Sequence, residues 1–154
     1  MYQGLVFLHL AGLVLFLLAH GVSMWAVFQV RAARSRDVVV TLLEMSGRSA
    51  QASYLGLILL GIGGLGAAWN SNFLTTTWAI ASYVVLGIVL FGMYGVGAGF
   101  YTPLRQALRG ANGAPPIRDD ELFERLQNRR PEILAAIGLS GLAVLVALMV
   151  YRPT

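Results

Sequence analysis

Four long apolar runs constrain the fold of this 154-residue chain more than any other feature. Each run is close to the roughly 20 residues that an α-helix needs to cross about 30 Å of hydrocarbon. With 57% apolar and only 12% charged residues, the chain is not expected to stay soluble in water. We therefore predict an all-α transmembrane four-helix bundle, formed by a single membrane domain over residues 1–154. Its predicted helices cover residues 5–30, 52–69, 77–101 and 131–151.

The arginines predict the orientation of the helices. Ten of the eleven follow the first or the third run, and only Arg152 lies on the opposite side. The positive-inside rule then predicts that both termini are outside and that the two arginine-rich connections are cytoplasmic. Because no basic residue precedes the first run, we expect helix one to be retained rather than cleaved as a signal peptide.

The positions of the arginines are explained by this membrane topology. We therefore predict no nucleic-acid partner. Arginines beside a bilayer attract anionic lipid head groups, by about 1 kcal/mol each near the surface. Membrane lipids are therefore the expected partners of the arginine-rich segments. The chain has no cysteine, which excludes disulfides, thiolate metal sites and thiol catalysis.

The first arginine-rich connection, residues 36–48, is apolar at most positions. Asp37 is a candidate N-cap and Gly47 a candidate stop signal. The segment is therefore either a helix at the membrane surface or a cytoplasmic extension of helix two, and its periodicity does not distinguish them.

The second connection begins with a flexible breaker at residues 110–116, followed by a short amphipathic helix at about residues 119–130. Leu122, Phe123 and Leu126 are expected to lie toward the membrane, and Glu121 and Arg125 to stand one turn apart on the wet side. We interpret this helix as a spacer on the membrane surface, and docking of a partner is the less favoured alternative.

Glycines are dense in helices two and three. Small residues let membrane helices approach closely, and Gly95 and Gly99 form a GxxxG pair. Gly61, Gly63 and Gly64 lie near the predicted middle of the membrane, where glycines can also accommodate a flat cofactor such as a porphyrin. Close helix packing and a cofactor surface both stay open.

The only two histidines, His9 and His20, both lie inside helix one. Eleven residues of α-helix turn through about 1100°, so the two rings share one face and are separated by roughly 16 Å along the axis. An imidazole in hydrocarbon must be hydrogen-bonded, hydrated or bound to a metal. No Asp, Glu, Lys, Arg, Asn or Gln lies deep in the four runs, which argues against a proton-coupled transporter and against a hydrolase.

Haem iron is a good candidate for the partner of these rings, because the porphyrin is itself apolar and supplies four of the six iron ligands. Counted from the arginines, His20 and Met93 lie at nearly equal depth, as do His9 and Met149. Two His/Met sites are therefore allowed, and a two-fold dimer could instead pair each histidine with its copy. The competing interpretation is structural, with His20 bonded to Ser82 or Ser53. Copper and a chlorophyll-type pigment are less favoured.

The first helix, LVFLHLAGLVLFLLAHGVSMWAVFQVR at residues 5–31, resembles that of small, uncharacterised bacterial four-helix membrane proteins. That group is similar to the copper-resistance D membrane domain and, more distantly, to the J-type membrane protoporphyrinogen oxidases. The resemblance implies a multi-pass protein of the bacterial inner membrane, with His9 as a haem ligand. The chain has no lysine, so a family role for an intramembrane lysine has no counterpart here.

These observations predict a small b-type haem protein and candidate transmembrane electron carrier, with His9 and His20 as axial and metal ligands. Met93, Met149, Gly61, Gly63 and Gly64 complete the predicted haem surroundings, and no catalytic residue is predicted. The alternative is a non-catalytic accessory subunit of a respiratory or photosynthetic membrane complex. We expect either a homodimer or a subunit of a larger assembly.

Overall fold

The computed structural model describes residues 1–110 and 116–153. Within these residues all regular structure is helical, and four helical segments are long and apolar enough to cross a membrane. The predicted all-α class is therefore confirmed, and the four long apolar segments are those expected of a multi-pass membrane protein. The helices are α1 (Tyr2–Ala32), α2 (Arg36–Asn70), α3 (Thr77–Met93), a π-helical turn (Tyr94–Ala98), α4 (Gly99–Leu108), α5 (Asp119–Leu126) and α6 (Arg130–Tyr151).

α2 is one continuous helix from Arg36 to Asn70, so the first connection is an extension of helix two. Gly47 lies inside this helix and does not end it. Its missing side chain leaves room for the guanidinium of Arg105 from α4. Arg105 Nε donates to the carbonyl of Leu43, 3.0 Å away. The N-cap position belongs to Ser35 rather than to Asp37, which lies in the first turn.

The third span is longer than predicted, because α3 continues through the π-helical turn into α4 and ends at Leu108. The widened turn lies just before Pro103, which has no N–H to donate to the carbonyl four residues earlier. Arg130 of α6 donates from Nη1 to the carbonyl of Val96, 3.2 Å away, and its guanidinium lies 4.7 Å from the ring centre of Phe100. The start of α6 thus holds the π-helical turn in place.

The four spans form two antiparallel pairs. α1 packs along most of α2, and α3 packs along α6. In the second pair, branched or flexible side chains fill glycine positions on the facing helix, with Val89 at Gly141 and Ile137 at Gly92. The two pairs contact each other mainly at the end that carries the arginines, which we call the arginine-rich end.

The buried core lies at this arginine-rich end and not in the middle of the spans. It joins residues from α1, α2, α4, α5 and α6, and both arginine-rich connections meet there. Its members are Val27, Val30, Val39, Leu43, Tyr101, Leu104, Ile117, Leu122, Leu126 and Leu134. Assignment of this end to the cytoplasm stays a prediction from the arginine count.

Ion pairs join the elements around the core. Arg31 of α1 pairs with Glu132 of α6, Arg36 of α2 with Asp119 of α5 at 2.8 Å, and Arg109 with Glu44 of α2 at 3.2 Å. Their side chains are between about a quarter and two thirds exposed, and ion pairs exposed in this way contribute little to stability. The apolar core must therefore provide most of the cohesion.

The prediction that the apolar face of the short amphipathic helix lies toward the membrane is wrong. Leu122 and Leu126 of α5 are 0% and 2% exposed and belong to the protein core. The ends of the longer helices offer α5 an apolar surface, and burial there removes both leucines from water and from lipid. The predicted Glu121–Arg125 pair is confirmed at 2.6 Å. The predicted breaker at residues 110–116 lies largely outside the described residues.

Replacement of Leu122 by alanine should lower the free energy of unfolding by about 3 kcal/mol, because it leaves a cavity in the core. The free energy is measured by SDS titration of the protein in mild detergent, followed by circular dichroism. Leu139→Ala is the matched control, since Leu139 is 69% exposed on α6. If the two variants unfold alike, α5 does not pack against the core.

Candidate functional site

The backbones of α1 and α2 touch at glycine positions. A Cβ atom placed on Gly12 would overlap the backbone of Leu60, and one on Gly56 would lie 2.5 Å from the backbone N of Phe16. A Cβ on Gly63 would overlap the backbone N of His9. This approach is possible only because these residues have no side chain. Nearer the arginine-rich end, a hydrogen bond of 2.9 Å between the buried hydroxyls of Ser23 and Ser46 joins the same two helices.

His9 lies in this contact. Its Nδ1 donates to the carbonyl of Leu60, 2.8 Å away, and its ring occupies the space that a side chain at Gly64 would need. This bond assigns the proton to Nδ1 and leaves the lone pair on Nε2. Nε2 has no hydrogen-bond partner among the described residues and is not fully buried. His9 is thus fixed in position while one of its nitrogens stays accessible.

His20 is held differently. Its half-buried ring stacks on that of Phe16, with 5.2 Å between the ring centres and 8° between the planes. Neither ring nitrogen has a hydrogen bond in the part of the chain that the structure describes. The serines suggested as partners are bonded elsewhere, because Ser82 donates to the carbonyl of Trp78 and Ser53 to that of Ala50.

The two histidines therefore have different surroundings, although both lie on α1. His9 faces α2, whereas His20 is one turn from Met24 and two turns from Val27, which both pack at the core where the helix pairs meet. On α1, His20 thus lies one turn from the part of the helix that reaches the core.

The methionines predicted to complete two sites lie on the second helix pair. Met93 also borders the core, but its thioether is directed to α6, with Cε 3.5 Å from a Cβ placed on Gly138. Met149 is 39% exposed near the far end of α6. The contacts between α1 and α6 lie at the arginine-rich end, as in the pair of Arg31 with Glu132. The structure thus shows no ligand pair formed by a histidine and a methionine in the described chain.

The three glycines predicted to surround a haem, Gly61, Gly63 and Gly64, lie on two different surfaces of α2. Gly63 and Gly64 face α1 and His9, so helix packing accounts for both. Gly61 has no atom within 4 Å of a Cβ placed on it and is the open one of the three. Gly12 and Gly56 are contact glycines as well, and they share a helical face with His9 and with Gly63, respectively.

No group of three or more His, Cys, Asp or Glu side chains suited to a metal ion occurs within residues 1–110 and 116–153. A metal held by this chain would therefore rely on few protein ligands, as iron in a porphyrin does. Comparison with protein-family models, curated proteins and solved structures found no match. The functional argument thus depends on the surroundings of the two histidines.

Replacement of Gly63 by leucine should force α1 away from α2 and lower the free energy of unfolding by about 3 kcal/mol. Gly61→Leu is the matched control, because the same side chain enters open space two residues away. SDS titration followed by circular dichroism compares the two variants. Equal stability of both would contradict the backbone contact at Gly63.

Proposed function

We propose that this chain is a small b-type haem protein of the bacterial inner membrane, with His9 and His20 as haem ligands on α1. The observation that carries the proposal is that each imidazole has a nitrogen without a protein partner in a segment predicted to lie in hydrocarbon. Such a group costs several kcal/mol if it stays unpaired. A ligand from outside the described chain would remove this cost at both depths.

The hydrogen bond of His9 fits metal ligation. Histidines that bind metals commonly donate their other N–H to a carbonyl or carboxylate, which fixes both the tautomer and the ring orientation. The bond from Nδ1 to the carbonyl of Leu60 does this for His9 and leaves Nε2 as the donor atom. The stacking of His20 on Phe16 likewise restricts the orientation of that ring.

Two ligands on one helix, roughly 16 Å apart along its axis, would place one haem in each leaflet. Bound haem iron would supply one-electron redox chemistry, and the apolar helix surfaces would keep water from it. This chain would therefore act as a transmembrane electron carrier, in which its own residues bind and orient the groups that transfer electrons.

The chain has no third histidine, so a second protein ligand to the iron would come from a methionine or from a histidine of a second copy. Met93 is the candidate for His20 because the two lie at nearly equal depth when counted from the arginines, and Met93 would have to turn its thioether from Gly138. Met149 is the candidate for His9. A two-fold dimer that pairs equivalent histidines would leave both methionines in their present positions.

One observation favours the alternative function, an accessory subunit of a respiratory or photosynthetic complex. Only 6–17% of the residues in each membrane-spanning window are buried within the chain. Helix surfaces left open in this way are available to lipid and to larger partner subunits. In this alternative, the free imidazole nitrogens would hydrogen-bond to the partner, and the arginine-rich end would still bind anionic lipids.

An absorption spectrum of the purified protein tests the haem proposal. We expect a Soret band whose intensity falls by roughly half in His9→Gln and in His20→Gln and disappears in the double variant, since each substitution removes one ligand. Glutamine keeps an N–H that can donate to the carbonyl of Leu60, so the helix pair should stay folded.

Ser82→Ala serves as the control, because Ser82 bonds only to a carbonyl of its own helix. Metal analysis and pigment extraction accompany the spectrum. Bound copper or a chlorophyll-type pigment, or the absence of a Soret band in the wild-type protein, would rule out the haem proposal. Co-purification with larger subunits in a fixed ratio, without haem, would support the accessory role.

A further inference from the structure

We propose that the surroundings of Tyr101 at the arginine-rich end bind the phosphate group of an anionic phospholipid. This phosphate site consists of Tyr101 and Arg105 on the third span, Arg130 at the start of α6 and Arg31 in the last turn of α1. The inference does not depend on haem. It goes beyond the general attraction of arginines to a charged bilayer, because it assigns one defined site to three of the ten arginines at this end.

Tyr101 carries a buried hydroxyl that lacks a partner. The residue is 5% exposed and belongs to the core, and its hydroxyl has no hydrogen bond among the described residues. The hydroxyl oxygen itself is not fully enclosed, so a ligand atom can reach it. An O–H held in a core without an acceptor is costly, and an anionic oxygen that accepts its hydrogen bond would remove this cost.

The charges around this hydroxyl are mainly positive. Arg31, Arg105 and Arg130 lie close enough to act on it electrostatically, and among the described residues Glu132 is the carboxylate that does so. Glu132 is paired with Arg31. Arg105 and Arg130 have no ion pair within the described chain, although both are partly buried. Two guanidinium charges therefore stay uncompensated beside a donor hydroxyl, and phosphate oxygens are well suited to such a set of donors.

Arg105 and Arg130 are fixed in place by bonds that leave other donors free. Arg105 uses Nε to bond the carbonyl of Leu43, and neither of its Nη atoms has a hydrogen bond among the described residues. Arg130 uses Nη1 to bond the carbonyl of Val96, and its guanidinium lies 4.7 Å from the ring centre of Phe100. Both side chains are thus ordered before a ligand arrives, which reduces the entropy lost on binding.

The location of the site favours a phospholipid over a free anion. Tyr101 lies near the end of the third span, and head-group phosphates lie beside the ends of membrane-spanning helices. Apolar side chains are exposed close by, since Phe28 is 39% exposed one turn before Arg31 and Ile133 is 46% exposed one turn after Arg130. A ligand with acyl chains can contact these surfaces and the arginines together, whereas a free phosphate contacts only the arginines.

Lipid binding to arginine variants tests the site. The probe is phosphatidylglycerol, titrated onto the purified protein in a non-ionic detergent, with bound lipid measured by native mass spectrometry. We expect Arg105→Gln and Arg130→Gln each to raise the dissociation constant by roughly tenfold or more, since each removes charge-assisted hydrogen bonds.

Arg34→Gln and Arg48→Gln are the matched controls, because they remove the same charge from exposed positions at the same end. They should change the dissociation constant by less than roughly twofold, as expected for exposed charges. Equal weakening by all four substitutions would overturn the proposal, because general attraction to the charged end would then account for the binding.

Tyr101→Phe keeps every charge and the buried ring and removes only the hydroxyl. It should weaken phosphatidylglycerol binding by roughly threefold or more, because the phosphate loses one donor. Circular dichroism checks that the helix content is unchanged. The lipid should also raise the Tm of the wild-type protein more than that of the variant, since a ligand that binds only the folded state stabilises it. Unchanged lipid binding in Tyr101→Phe would overturn the proposal.

Inorganic phosphate and phosphatidylcholine distinguish the sources of the phosphate group. We expect inorganic phosphate, added at the same concentration as the lipid, to displace none of it, and zwitterionic phosphatidylcholine to bind more weakly than phosphatidylglycerol. Displacement by inorganic phosphate at equal concentration, or equal affinity for the two lipids, would overturn the assignment to an anionic phospholipid. None of these measurements requires haem, so the outcome is independent of the haem proposal.

Discussion

The contact between the backbones of α1 and α2 determines the surroundings of both histidines. Gly12, Gly56 and Gly63 bring the helices so close that His9 meets the backbone of α2 and donates to the carbonyl of Leu60. The same contact holds the backbone of Phe16 against Gly56, and the ring of His20 stacks on Phe16. A larger side chain at Gly63 would separate the helices and remove the bond that fixes the His9 ring.

The position of the core follows from the two solvents that the chain meets. Within the bilayer, lipid tails are as apolar as leucine, so contact between helices there depends on close packing and not on the hydrophobic effect. At the arginine-rich end, water is the solvent, and burial of apolar side chains is strongly favourable. Leu122 and Leu126 of α5 are accordingly buried among the ends of the long helices, and ion pairs surround them.

The two histidines illustrate how far a helical projection predicts a site. The projection placed His9 and His20 on one face, and each ring has a nitrogen without a hydrogen-bond partner among the described residues. It did not predict that Gly63 and Gly64 pack against His9, since this contact joins residues more than fifty positions apart. Depth counting paired His20 with Met93, but depth alone does not indicate that the thioether of Met93 is directed to Gly138 of α6.

The sequence by itself determined the four membrane-length helices, the clustering of arginine in two connections and the Glu121–Arg125 pair, because these depend on local composition and on spacing within one helix. Only the tertiary structure decided that residues 36–48 extend α2, that α5 joins the core and that Gly95 stays open while Gly92 faces α6. The physical reason is that periodicity shows which residues share a face. Which surface that face contacts depends on distant parts of the chain.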